Sequence, residues 1–200
     1  MKKNNIYVLG SLNTDLVIYT DRMPEKGETI HGKNFITNAG GKGGNQAVAA
    51  GMLGENVTMI GAVGKDYYSK MLLDSLERGN INTKSIKIVH GVPSGTAVII
   101  RTKDDNRIII DSGANATVSI NDIENEMDAS KNDIFITQFE IPLETVKKGL
   151  IVAKNKKMIT ILNPAPAIKF EDEIYKYVDY LVVNQSESNI LTGIYPKNKE

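Results

Sequence analysis

Four glycines fall within residues 40–44, with Lys42 among them, and Asn45, Gln46 and Ala47 follow. Glycine permits positive φ and lets another group approach the backbone closely. So dense a run would weaken a helix or strand that contained it, and the stretch 38–47 therefore reads as a loop. The small-residue run 46–53 after it reads as a helix. The loop thus feeds a helix N-terminus, where unpaired N–H groups and the macrodipole favour anions and polar oxygens. A plain strand-to-helix turn is the alternative. Two phosphate-binding patterns do not fit. Gly43 stands where a P-loop needs Ser or Thr, and Gln46 stands where a dinucleotide fingerprint needs its third glycine.

Around this stretch the chain alternates. Apolar runs at 6–9, 57–60, 134–137, 158–162 and 180–183 read as strands, and 66–78, 119–129, 142–154, 171–177 and 186–192 read as helices. Such alternation implies an α/β fold, a Rossmann-like and mostly parallel sheet flanked by helices. Ligands in such sheets bind beyond the C-terminal ends of the strands. Asn13 and Asp15, Glu140, and Asn184 with Glu187 all follow strands there. Two β-rich segments, about 16–37 and 96–110, break the alternation; the second reads as a hairpin. They are expected to form a small β-sheet lid over the site. The alternation is still running at 195–200, so the 200 residues read as the N-terminal part of a longer domain.

Composition narrows the function. Lys plus Arg equals Asp plus Glu at 24 each, which argues against nucleic acid or an acidic membrane surface as the main partner. There is no cysteine, which removes disulfides and thiolate zinc sites and fits a reducing cytoplasm. His31 and His90 are the only histidines, too few for a multi-histidine metal site. The apolar run 6–9 is too short for a signal peptide, and no run is long enough to span a bilayer.

Six motifs occur in order: Gly10-Ser11-Leu12-Asn13-Thr14-Asp15, Gly40-Gly41-Lys42-Gly43-Gly44-Asn45-Gln46-Ala47, Gly113-Ala114-Asn115-Ala116, Gln138-Phe139-Glu140, Asn163-Pro164-Ala165-Pro166-Ala167 and Asn184-Gln185-Ser186-Glu187. Together they resemble the ribokinase (PfkB) family of carbohydrate kinases over essentially the whole chain. The resemblance implies transfer of the γ-phosphoryl group of ATP to the 5-hydroxyl of D-ribose, with Mg²⁺ and a monovalent cation such as K⁺, by a cytoplasmic homodimer paired through its lids. It implies that Asn13, Asp15, Gly41, Lys42, Asn45 and Glu140 bind the sugar. It also implies that Asn184 and Glu187 act near the nucleotide, with Glu187 holding the metal through waters.

Other readings stand beside these. Asp15 also reads as a turn residue, Lys42 as a solvated lysine, and Glu140 as a charge at the start of the helix near Pro142. Asn184 and Glu187 have the spacing of a capping box, which is compatible with a functional role. Asn115 reads as a cap or turn residue and is not assigned to the site. The family's Gly-Ala-Gly-Asp motif, whose Asp is the base, does not occur in the sequence, so no residue is assigned to catalysis. Another sugar kinase of the family, or a non-catalytic sugar-binding or dimerising fragment, are the alternative functions.

Overall fold

The computed structural model describes residues 4–124 and 127–198. In chain order the elements are β1 (Asn5–Leu9), β2 (Asn13–Tyr19), β3 (Lys33–Gly40), α1 (Lys42–Met52), β4 (Asn56–Gly64), α2 (Tyr67–Arg78), β5 (Ile86–Val89), β6 (Gly95–Arg101) and β7 (Asn106–Asp111). A 3-10 turn at Gly113–Thr117 follows, then α3 (Asn121–Glu124), β8 (Ile134–Gln138), α4 (Leu143–Asn155) and β9 (Ile159–Asn163). A second 3-10 turn at Asp172–Tyr177 leads to β10 (Tyr180–Leu181) and α5 (Gln185–Thr192).

Six strands form one sheet in the order β10-β9-β8-β1-β4-β5, and every pairing in it is parallel. Its two faces are covered by two clusters of buried side chains. Leu9, Phe135 and Leu162 pack against Val146 and Leu150 of α4. Val8, Met59 and Val63 lie with Ala47 of α1 and Leu72 and Leu76 of α2. The apolar strand runs are therefore strands buried on both faces, as parallel sheets require.

The remaining strands form a second sheet in the order β3-β2-β6-β7. Here β2 runs antiparallel to β3 and parallel to β6, and β6 and β7 form the expected hairpin. This lid is larger than the sequence indicates. Its first segment starts at Asn13 and ends at Gly40, so Asn13 and Asp15 lie on a lid strand and not on a turn after β1.

The glycine stretch is not a loop. Asn38, Ala39 and Gly40 finish β3, α1 opens at Lys42, and only Gly41, with φ of 87°, stands between them. The glycines serve close packing. A Cβ on Gly43 would lie 2.6 Å from the Ser11 nitrogen and 2.7 Å from the Gly10 carbonyl carbon. Tertiary contact with the end of β1 overrides the low helix propensity of glycine.

The helix expected over 119–129 is short. Ser119 meets Asp122 as expected of a helix start, but Asp128 is no longer helical and its carbonyl accepts from the buried Tyr7 hydroxyl at 2.7 Å. Positions 125 and 126 lie outside the described residues, as do 1–3 and 199–200. The segment 171–177 is a 3-10 turn, and the strand expected over 180–183 pairs over two residues at the sheet edge.

Gly43→Ala tests the packing account. In an ordinary helix interior the change gains about 1 kcal/mol. Here the added methyl meets the Gly10–Ser11 backbone, at a cost of about 1–3 kcal/mol. A lowered urea midpoint is expected; a raised one would show that α1 is free to move away from β1.

Candidate active site

The strand order reverses beside β1: the chain builds β4 and β5 on one side, then β8, β9 and β10 on the other. The crevice at the C-terminal ends of β1 and β8 is therefore the topological switch point, where ligands of such sheets bind. Ser11 and Asn13 leave β1 there, and Glu140 lies two residues beyond β8.

Glu140 is the hub. Its Oε2 accepts from the Ser11 hydroxyl at 2.6 Å, the Lys42 backbone N–H at 3.0 Å and the Asn13 amide at 3.4 Å. Lys42 is the first residue of α1, so the carboxylate sits on that helix N-terminus, where the dipole favours it. The sequence allowed Glu140 to be a start charge for the helix near Pro142; it instead serves a helix almost a hundred residues earlier. The Ser11 hydroxyl accepts in turn from the Gly43 N–H at 3.3 Å, and the Ser11 carbonyl accepts from the Gly44 N–H at 2.9 Å. The anion-binding end of α1 is thus already filled by a protein carboxylate, which leaves it suited to hydroxyls and not to a phosphate.

A cavity of about 330 Å³ opens beside Glu140. Asn13 and Ser112 add polar groups; Ile110 of the lid, Phe139 and Pro166 form apolar wall. Asp15 follows Asn13 by two residues on β2, so both side chains lie on one face of the lid. Asp15 is half-buried against Gly40, where a Cβ would lie 2.3 Å from its Oδ2. Its carboxylate receives no hydrogen bond among the described residues. Burial pushes its pKa up, and the nearby Glu140 charge adds to this. The Glu140 carboxylate, the Asn13 amide and the Ser112 hydroxyl at the cavity wall, with the Asp15 carboxylate nearby, are donors and acceptors suited to a neutral polyhydroxylated ligand. Ser11 is fully buried and bonded on both sides, so it is no nucleophile.

Of the expected residues Asn13 and Glu140 line this crevice; Lys42 reaches Glu140 through its backbone N–H, Gly41 packs against the Asn13 backbone, and Asp15 lies close enough to feel the Glu140 charge. Asn45 is exposed one turn into α1 and lines a small crevice with Gly40 and Leu12. Asn184 and Glu187 are not part of it. They follow β10, two strand spacings from β8, on the order of 10 Å. They form the complete capping box of α5: Asn184 Oδ1 accepts from the Glu187 N–H and Glu187 Oε2 from the Asn184 N–H, both at 2.8 Å. Among the described residues no group of three or more acidic or histidine side chains is arranged for a metal.

Two residues escape the sequence reading. Ser11 supports Glu140; it lies in the first of the six motifs, just after β1, but nothing local marks Glu140 as its partner. Asn115, 1% exposed, binds the main chain of Leu12 and the side chain of Asn13. It lies in one of the six motifs but carries no local sign of a partner a hundred residues away.

Because the folded state raises the Asp15 pKa, its ionised form opposes folding: this cost is absent at acid pH and grows as pH rises through the folded-state pKa. Asp15→Asn is therefore expected to raise the thermal midpoint at pH 7, with the gain vanishing below about pH 4. Thermal melts across that range check it.

Residues 3–199 match the model for the pfkB family of carbohydrate kinases. The chain is 39% identical to a ribokinase of Bacillus subtilis over 188 residues, covering 94% of this chain and 64% of the relative. It is 38% identical to a deoxyribokinase of Salmonella typhi, covering 95% and 63%. The solved structure of an Arabidopsis thaliana ribokinase complexed with ribose and ATP superposes with a TM-score of 0.84 at 27% identity, covering 99% of this chain and 65% of that one. The chain thus spans just under two thirds of the length of these relatives. With the six motifs in order and the parallel sheet and lid in place, the chain belongs to the pfkB family of carbohydrate kinases.

Proposed function

We propose that this chain is the sugar-binding part of a ribokinase, which transfers the γ-phosphoryl group of ATP to the 5-hydroxyl of D-ribose. The observation that carries this is the pair Asn13 and Glu140 lining one cavity at the switch point, with the Asp15 carboxylate near Glu140. Each carboxylate accepts from hydroxyls, and Asn13 donates to them. The lid carries Asn13 and Asp15, so closing over a sugar and ordering its hydroxyls are one event, and water is kept from the transfer.

ATP supplies the phosphoryl group, and Mg²⁺ screens its charge. Glu187 has one carboxylate oxygen left after its capping bond, which fits a hydrated Mg²⁺ held through water. Asn184 caps α5 in the same place. The described residues offer no cage for K⁺. The base that deprotonates the sugar, and the adenine and cation sites, are assigned to sequence outside these 200 residues, which form the N-terminal part of the domain. The site is read as cytoplasmic in setting; among the described residues no helix is long and apolar enough to cross a membrane.

The lid carries a second proposal, a homodimer. Phe35, Val98 and Ile109 are exposed on the lid face opposite Asp15, with Ile109 72% exposed. Pairing two such faces removes apolar surface from water. Ile109→Glu is expected to convert a dimer to a monomer in sedimentation equilibrium; a wild-type monomer contradicts the proposal.

The sugar assignment is tested by calorimetry with ribose, deoxyribose, fructose and nucleosides, and by ATP-dependent phosphorylation with the full-length protein. Ribose is expected to bind best, with Asp15→Ala weakening it at least about tenfold, the loss of one charged hydrogen-bond acceptor. A preference for deoxyribose or a nucleoside would move the assignment to another sugar kinase of the family. Ribose binding without turnover by the full-length protein would favour a non-catalytic module.

A further inference from the structure

The polarity of the cavity is set from outside it. Asn115 Oδ1 accepts from the Leu12 backbone N–H at 2.9 Å. Its Nδ2 donates to the Leu12 carbonyl at 3.1 Å and to Asn13 Oδ1 at 2.7 Å. An amide side chain fits its envelope either way round, and only its partners decide which end is oxygen. A backbone N–H decides, because it only donates. The Leu12 N–H therefore fixes the oxygen of Asn115. Its NH₂ group then faces Asn13, and Asn13 must meet it with its own oxygen. That leaves the Asn13 NH₂ group facing Glu140 Oε2, on the side of the cavity.

Gly95 supports the same chain of constraint independently. It pairs with Asn13 across β2 and β6. A Cβ there would lie 2.1 Å from Asn115 Nδ2 and 2.2 Å from Asn13 Oδ1. The backbone keeps this space free for the contact between the two amides.

We infer that Asn115 is a positioning residue that holds Asn13 with its donor face toward the ligand, and so sets which sugar oxygens the site accepts. The inference rests on the sugar reading above and deepens it. A hydroxyl both donates and accepts, so it suits either orientation of Asn13; a fluorine only accepts, so it suits the donor alone. Replacing the sugar hydroxyl that meets Asn13 by fluorine is thus tolerated when Asn115 is in place and penalised when Asn13 turns its carbonyl inward.

The test uses the 200-residue protein, D-ribose and its monofluoro analogues. Two variants disturb the contact differently. Asn115→Asp, studied at pH 8, sets a carboxylate oxygen against Asn13 Oδ1; Gly95→Ala pushes the amides apart and leaves both present. For one fluoro analogue, the ratio of its affinity to that of ribose is expected to fall by about three- to tenfold in each variant, the worth of one hydrogen bond. A loss of packing alone would weaken both ligands together and leave the ratio unchanged. Hydrogen exchange of the Asn115 side-chain NH₂, read by NMR without sugar, is expected to be slow. Fast exchange overturns the inference at its geometry. Slow exchange with an unchanged ratio in both variants overturns it at its function. Slow exchange with no ribose bound by the wild type removes the sugar reading, and this inference with it, while the amide geometry stands.

Discussion

The carboxylate of Glu140 on the first N–H of α1 is the contact on which the site depends. It joins the end of β8, the end of β1 through Ser11, and the start of the glycine-rich helix in one set of hydrogen bonds. A carboxylate at a helix N-terminus is favourable without any ligand, by about 0.3–1 kcal/mol when exposed and more when buried. For the helix to come this close, Gly41 and Gly43 must lack a Cβ where they meet the backbone of residues 10–13, while Gly40 leaves room for the Asp15 carboxylate. The same contact fills the anion-binding position of the helix that the glycine run opens.

The lid is tied to this centre at each passage of the chain. The link from β1 to β2 is held by Asn115 at Leu12. The link from β5 to β6 is held by Asp66, whose Oδ1 caps α2 through the Tyr68 and Ser69 N–H groups while its Oδ2 accepts from the Ser94 N–H at 2.6 Å. Gly41 turns the chain from β3 into α1 at positive φ, and Gly113 does so after β7, against the carbonyls of Pro93 and Ser94. Lid position and helix position are therefore coupled by short polar bonds, with Asn13 and Asp15 carried on the lid strand and Glu140 following the parallel sheet.

What the sequence makes legible follows from physics that is local. The parallel sheet is legible because strands buried on both faces are apolar throughout, and the β6–β7 hairpin because Lys103-Asp104-Asp105-Asn106 separates two β-branched runs. Asn13, Asp15 and Glu140 are legible as polar residues beyond strand ends. The rest depends on partners distant in sequence. Glycines 40–44 read as a loop because nothing near them tells that α1 must touch Ser11. Asn115 reads as a turn residue because its partners are about a hundred residues away. At Asn184 and Glu187 one spacing is compatible with two readings, and the capping box is the one whose bonds are present.

The most direct test of the central assignment is a ¹H–¹⁵N NMR titration of the chain with D-ribose. The amides of Asn13, Asp15, Lys42, Gly43 and Glu140 are expected to shift together and saturably, while those of Asn184 to Glu187 stay in place. Shifts confined to α5 or the β10 edge, with the Glu140–Lys42 cluster unmoved, would contradict the account.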